Sequence, residues 1–262
     1  MKILGVGGSP HKNGFSERLL NNALNGAEEF GAEVNEVYLT DLEIKHCIGC
    51  DYPCWDEMVC SLDDDGLELR RKLSNHDALI FSVPVYFLSV NGLSKNFMDR
   101  MRYYGDNGKP ALSILVAGGT GKGCVMTAQE VTRWLIMLGY RPLIPVLATR
   151  YNLDIAAAEA RMKGKEIVET DRSPFSSLSE QIAEYESLPY MNWTMLDEMG
   201  FLTEYCIREI SKLGHPEMAS KFREKLERGR TLLEGGNEDE GLDLIVSAQE
   251  ESLETFEDLQ DA

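Results

Sequence analysis

Over the first 170 residues short apolar runs alternate with longer stretches of helical periodicity, the pattern of a parallel sheet covered by helices on both faces. Strands are predicted at 3–6, 34–39, 78–83, 111–117 and 143–148, and helices at 16–30, 64–73, 93–101, 128–138 and 155–169. The first helix places Leu19, Leu20, Ala23, Leu24 and Ala27 on one face and ends at Gly31. Pro145 in the last strand predicts an edge position, because proline cannot donate to a ladder on both sides. Residues 170–189 lose periodicity and carry Pro174 and Pro189, so 173–189 reads as a linker. From residue 190 onward the pattern is helical. Met218, Phe222, Leu226 and Leu233 share a face after Pro216, in a helix that stops at Gly235 and Gly236. Leu242, Ile245, Leu253, Phe256 and Leu259 form the stripe of a last helix whose other face is acidic. The expected organisation is an α/β domain over 1–172, the linker, and an acidic helical extension over 190–262.

Charge narrows the partners. The 262 residues include 44 acidic and 26 basic side chains, a net −18, which argues against nucleic acid or an anionic membrane as a partner. No run reaches the ~18–20 apolar residues of a membrane span, and MKILGVGGSP is too poor in apolar residues for a secretory signal. A cytoplasmic protein is expected. Residues 231–262 alone carry −11, leaving −7 for residues 1–230. That acidic tract reads most simply as a solvated helix face, with a docking surface for a basic redox partner as the sharper alternative.

Three loops carry candidate chemistry. The first, residues 7–16, lies between strand one and helix one, where backbone N–H groups and the hydroxyls of Ser9 and Ser16 suit a phosphate. Pro10 stands where a dinucleotide fingerprint needs its third glycine, so a terminal monophosphate fits better. A plain glycine-rich turn with a serine cap is the other reading. The second loop, Pro84, Val85, Tyr86 and Phe87 after strand three, can flank a flat ring, or be core where the loop tucks under. The third, residues 118–123 after strand four, permits close backbone approach to a planar ligand, or is simply flexible. Val116 and Gly123 stand where a P-loop needs glycine and a hydroxyl, which excludes a triphosphate site. All three loops follow carboxyl ends of strands, hence one edge of the sheet. Together they suit one phosphate and one flat ring, the shape of FMN.

GSPHKNGFS (8–16), SVPVYFLSVNGLSKNFMDR (82–100) and AGGTGKG (117–123) strongly resemble the flavodoxin-like NAD(P)H-dependent FMN reductase family, over roughly residues 1–170. The resemblance implies a doubly wound, five-stranded parallel sheet of order 2-1-3-4-5 with the helical extension appended. It implies non-covalent FMN, with its phosphate on Ser9, Lys12, Asn13 and Ser16. The ring would lie against Pro84, Val85, Tyr86 and Phe87 and against Gly118, Gly119, Thr120 and Gly121. His11 stands where arginine is commoner in the family. NAD(P)H is a possible donor, and a homo-oligomer is expected.

Four of six cysteines, Cys47, Cys50, Cys54 and Cys60, fall within fourteen residues at C-x2-C-x3-C-x5-C spacing. In a reducing compartment such a group reads as metal-binding or redox-active before it reads as disulfides. Four thiolates on one irregular loop can converge on a compact tetrahedral object. Zinc sites more often pair two C-x-x-C knuckles, whereas cubane clusters take closely packed cysteines. The loop resembles that of the iron–sulfur flavoproteins, which place four cysteines after strand two and hold [4Fe-4S] beside FMN; their usual motif has two residues between the second and third cysteine, where this chain has three. Zinc, reduced thiols or a partial motif are the alternatives. Cys124 and Cys206 are isolated and expected to be small buried side chains. Tyr103, Tyr104 and Trp134 are expected in the core. No general acid–base pair is evident. The expected function is an iron–sulfur flavoprotein passing electrons between a low-potential donor such as ferredoxin and an acceptor. The alternatives are an FMN-only NAD(P)H reductase of quinones, nitro compounds or flavins, and a non-enzymatic redox sensor or scaffold.

Overall fold

The computed structural model describes residues 1–51, 53–101 and 107–261, so Tyr103 and Tyr104 lie outside the described residues. Its strands are β1 (Lys2–Gly7), β2 (Glu33–Tyr38), β3 (Ala78–Tyr86), β4 (Ser89–Val90), β5 (Pro110–Ala117), β6 (Arg141–Pro142) and β7 (Val146–Thr149). The helices are α1 (Phe15–Glu29), α2 (Gly66–Ser74), α3 (Gly92–Arg100), α4 (Cys124–Met137), α5 (Leu153–Glu169), α6 (Leu178–Ser187), α7 (Met195–Lys212), α8 (Pro216–Glu234) and α9 (Glu238–Asp261). Two compact units divide them. The first comprises residues 1–118, 123–148 and 153–191; the second comprises Gly119–Lys122, Thr149–Asn152 and the chain from Asn192.

In the first unit the sheet runs β2-β1-β3-β5-β6, with β7 also on β5 and β4 folded antiparallel onto β3. The order is the flavodoxin-like one expected, with β5 as fourth strand. The predicted fifth strand is broken in two: β6 and β7 flank residues 143–145, and Pro145 has no N–H with which to join them. Strand β3 is longer than its pattern predicts and contains Pro84, Val85 and Tyr86. Pro84 survives in a central strand for a geometric reason. The Ser82 carbonyl accepts from Gly8 N–H on the β1 side, so residue 84, two further on, also turns its nitrogen that way. There β1 has already ended, its last pair being Gly7 with Ser82.

Both faces of the sheet are buried, as a doubly wound fold requires. Ile3, Ile80, Leu112 and Ile114 face α1 and α5, meeting Leu19, Leu20, Ala23, Ala156 and Ala160. On the other face the rings of Phe81, Phe97 and Trp134 pack with centroids 5.1 to 5.9 Å apart. Each fully buried side chain of this size contributes ~1.5–3 kcal/mol. Cys124, the first residue of α4, is buried as expected.

The stretch expected as a linker instead contains α6 and lies in the first unit. Ser177 caps it by accepting from Glu180 N–H, and Arg141 holds it through Glu180 and Glu184. None of its residues is buried, so its apolar periodicity is weak and the pattern conceals it.

The second unit packs α7, α8 and α9 around Ile207, Ile210, Phe222, Leu226, Ile245 and Phe256. Met218 and Leu242, expected on buried faces, are exposed. Cys206 is buried, and burial pushes its thiol up to about 11. The acidic tract is only partly a bare solvated face: Glu240, Glu250, Glu251 and Glu257 pair with Arg228, Lys122, Lys225 and Arg150. The acidic partner of each pair is exposed, and each pair is worth ~0–1 kcal/mol.

Helices α1 and α5 approach through two glycines. A Cβ at Gly164 would lie 1.9 Å from the Ala23 carbonyl oxygen, and one at Gly26 2.0 Å from that of Arg161. Backbone cannot yield as a side-chain tip can. Gly164→Ala is therefore expected to lower unfolding free energy by ~1–3 kcal/mol. Gly92→Ala, whose Cβ meets nothing within 4 Å, should stay within ~0.5 kcal/mol of wild type; urea midpoints at unchanged slope read both.

Candidate functional site

The carboxyl ends of β1, β3 and β5 are neighbours in the sheet, and the segments that follow β1 are hydrogen-bonded to β3 and the chain after it. The Gly8 carbonyl accepts from Asn91 Nδ2 at 2.9 Å and from Ser94 Oγ at 3.3 Å, while Ser82 Oγ donates to the Ser16 carbonyl at 2.8 Å. Gly8 has no alternative here, since a Cβ would meet Ser94 Oγ at 2.1 Å. Asn91 is buried and its Oδ1 has no partner.

Ser9 is half-buried, Ser16 buried, and Lys12 and Asn13 exposed in the loop ahead of α1. Gly14 caps that helix without a side-chain bond, which leaves its first turn to backbone dipoles. Two acids stand nearby. Glu17 accepts from Asn13 N–H at 2.6 Å, and Asp41 pairs with Lys12 Nζ at 2.6 Å. Asn13 is left-handed at φ 60°, tolerated better by asparagine than by most residues.

Pro84 is buried, Val85 half-buried, Tyr86 45% exposed and Phe87 fully exposed, so the reading of these aromatics as core does not hold. Phe87 and Leu88 are both left-handed, with φ 47° and 69°. The turn between β3 and β4 imposes this, and Gly123 lets the chain pass: a Cβ there would lie 2.4 Å from Leu88 Cα. Gly118 is exposed and its missing Cβ would meet nothing within 4 Å. Gly119, Thr120 and Gly121 belong to the second unit, where Gly121 packs against Leu202 and Thr149.

Cys47, Cys50, Cys54 and Cys60 line one cavity of about 250 Å³, together with Trp55, Leu62, Arg70, Asp99 and Arg100. Cys50 is exposed, its Sγ 2.9 Å from Ser61 Oγ; the other three are half-buried. Among the described residues no three His, Cys, Asp or Glu side chains stand ready to hold a single metal ion.

One ion pair closes the neck of this loop. Asp64 and Arg100 are almost wholly buried and bond twice, at 2.6 and 2.8 Å. Asp64 also accepts from Lys45 N–H at 2.8 Å and Gly66 N–H at 2.9 Å. Arg100 donates to the Lys45 carbonyl at 2.7 Å and to Cys60 Sγ at 3.3 Å. The two ends of the loop are thereby joined through a buried pair, with bonds from Glu43 to Asp65 and from Lys45 to Asp63 beside it. No side chain fits over it, since a Cβ at Gly66 would lie 2.7 Å from the Arg100 guanidinium. Arg100, with the backbone donors, holds the Asp64 carboxyl at about 2.

A second buried guanidinium crosses the loop interior. Arg70 donates from Nη1 to the Cys54 carbonyl at 2.9 Å and from Nη2 to the Val59 carbonyl at 2.8 Å, and its Nε has no partner. Sequence reasoning missed both arginines. The available signal was a basic residue on the apolar side of a short helix, Arg70 beside Leu69 and Leu73, and Arg100 beside Phe97 and Met101.

Residues 1–150 match the family model for NADPH-dependent FMN reductases. The chain belongs to that family. Within it the chain falls in the iron–sulfur flavoprotein subgroup. It is 40% identical over 126 residues to an iron-sulfur flavoprotein of Archaeoglobus fulgidus, covering 47% of this chain and 57% of that one. An iron-sulfur flavoprotein of Methanocaldococcus jannaschii is 30% identical over 178 residues, covering 65% and 88%. The chain thus spans little more than half the length of the first relative. The NAD(P)H:quinone oxidoreductase of Methanothermobacter marburgensis shares the fold at TM-score 0.51 and 19% identity, over 64% of this chain and 96% of that one. In this member of the family no helix among the described residues is long and apolar enough to cross a membrane.

The Asp64–Arg100 pair makes the family member acid-sensitive in a defined window. The carboxyl falls from an ordinary ~3.9 unfolded to about 2 folded, so its contribution is complete above pH ~4 and is lost as pH falls toward 2. Asp64→Asn should abolish ~2 kcal/mol of stability loss between pH 5 and 2, measured as the difference in urea-unfolding free energy across that window.

Proposed function

We propose that this chain is an FMN-dependent oxidoreductase whose Cys47, Cys50, Cys54 and Cys60 hold a [4Fe-4S] cluster, passing electrons between a low-potential donor and an acceptor. The observation that carries the reading is the cysteine cavity itself: four thiols from one loop, over two buried guanidiniums, one with an unpartnered Nε. The donor set and the charge beneath it suit a thiolate-bound anion. FMN is supported by the family membership and by the bonded loops at the sheet's carboxyl edge.

In this reading the phosphate lies on Ser9, Lys12, Asn13 and Ser16 at the uncapped start of α1. Lys12 would exchange Asp41 for it. Exposed Tyr86 and Phe87, with Pro84 and Val85, offer one wall for the ring. Gly118, Gly119, Thr120 and Gly121 are assigned to the ring by resemblance. FMN supplies one- or two-electron exchange, and the cluster one electron at a time. The protein's share is position and charge: backbone N–H groups stabilise an anionic ring edge. NAD(P)H and a small ferredoxin are the donors proposed, in a cytoplasmic homo-oligomer. The exposed aromatic turn at 86–88 supports assembly.

A second reading, an FMN-only NAD(P)H reductase, draws on one observation: Cys50 is exposed and engaged with Ser61. Protein purified without oxygen should contain one flavin with about four iron and four sulfide per chain. Cys54→Ser should remove the iron–sulfur absorbance and keep the flavin bands. Zinc or no metal in the wild type would overturn the cluster, and absence of flavin would overturn the whole assignment. Assays under argon with reduced ferredoxin, NADH and NADPH assign the donor.

A further inference from the structure

Arg70 is 3% exposed, and its guanidinium is a buried charge that needs a counter-charge. Its fork is spent on two neutral carbonyls, those of Cys54 and Val59. The buried carboxylate nearby, Asp64, is bound to Arg100. On Arg70's own helix Glu68 pairs with Arg71 on the exposed side. From α3, Asp99 lines the same cavity and pairs with Lys95 at the surface. Burial works against Arg70's charge, the neighbouring Cys54 and Cys60 favour it, and Arg100 opposes it. Its unpartnered Nε lies in a side chain that lines the cysteine cavity.

We propose that Arg70 is the counter-charge of the four-cysteine site, a specificity-determining residue that demands an anionic thiolate-bound occupant and sets its reduction potential. The inference rests on the cluster reading above and adds to it a residue outside the ligand set. Four thiolates bring more negative charge than a cubane core cancels. Arg100 is neutralised by Asp64, so Arg70 supplies the uncompensated positive charge. One electron entering the occupant, with no bond made or broken, makes it more negative by one charge. A buried cation beside it stabilises that reduced form more than the oxidised one. Removing the cation therefore lowers the potential.

The test uses the full chain, purified without oxygen, with iron and sulfide analysis and a dithionite titration of midpoint potential. Arg70→Gln should shift the one-electron equilibrium about tenfold toward the oxidised form, about 59 mV more negative, or lose iron altogether. Arg70→Lys keeps the charge but cannot span both carbonyls; it should hold iron at the wild-type potential. Unchanged iron and potential in R70Q would overturn the inference. So would an R70K protein as depleted or as shifted as R70Q, because Arg70 would then be only a clamp on the loop. If R70Q does not fold, R70K decides alone: iron content and potential as in wild type support the inference, and lost iron or a potential about 59 mV more negative overturns it. Wild-type protein without iron and sulfide overturns the cluster reading and this inference with it, whereas loaded wild type with an indifferent R70Q overturns this inference alone.

Discussion

The Asp64–Arg100 pair is the interaction on which the cysteine loop depends. Among its described residues the loop over 45–64 has no helix or strand, so no ladder defines it and its backbone groups need partners from elsewhere. Asp64 takes the N–H groups of Lys45 and Gly66, while Arg100 takes the Lys45 carbonyl and one thiol. Removing one partner would leave a buried charge uncompensated, at a cost of ~3–5 kcal/mol. The pair also fixes where α3 ends relative to the loop, since Arg100 is that helix's last residue. Fold and candidate chemistry thus meet at a single guanidinium.

The sheet's carboxyl edge is organised differently. There the contacts are neutral, hydroxyls and an amide converging on the Gly8 carbonyl and the Ser16 carbonyl. Charge stands at the rim, on Lys12, Asp41 and Glu17. Such an edge can exchange partners at little cost, because its ion pair is exposed and its rigid part carries no net charge. The cysteine loop, built around buried charge, has no such latitude.

The apolar runs made β1, β3 and β5 legible, because those strands are buried on both faces and read as continuous hydrophobic segments, whereas the sheet order followed from the family resemblance. The pattern failed where geometry is not periodic. Pro84 reads as a strand terminator, yet β3 continues through it because β1 stops first, a fact of pairing and not of composition. Helix α4 starts at Cys124, four residues earlier than its pattern, because left-handed Gly123 ends the loop there. Helix α6 buries nothing, so no stripe betrays it. At the candidate site the cysteines announced themselves by spacing. Arg70 and Arg100 did not, since a charged residue beside leucines or phenylalanine is informative only once the loop is known to fold back over it.

The closed neck of the cysteine loop has a consequence for its length. With Lys45 and Asp64 tied together, the intervening chain is a ring whose closure entropy grows only with the logarithm of its size. Inserting one residue into a ring of about twenty costs less than ~0.1 kcal/mol on that scale. As far as closure at the neck goes, the extra residue between Cys50 and Cys54 is almost neutral for folding, and drift in cysteine spacing is constrained by what the thiols must hold and by the grip of Arg70 on the Cys54 and Val59 carbonyls.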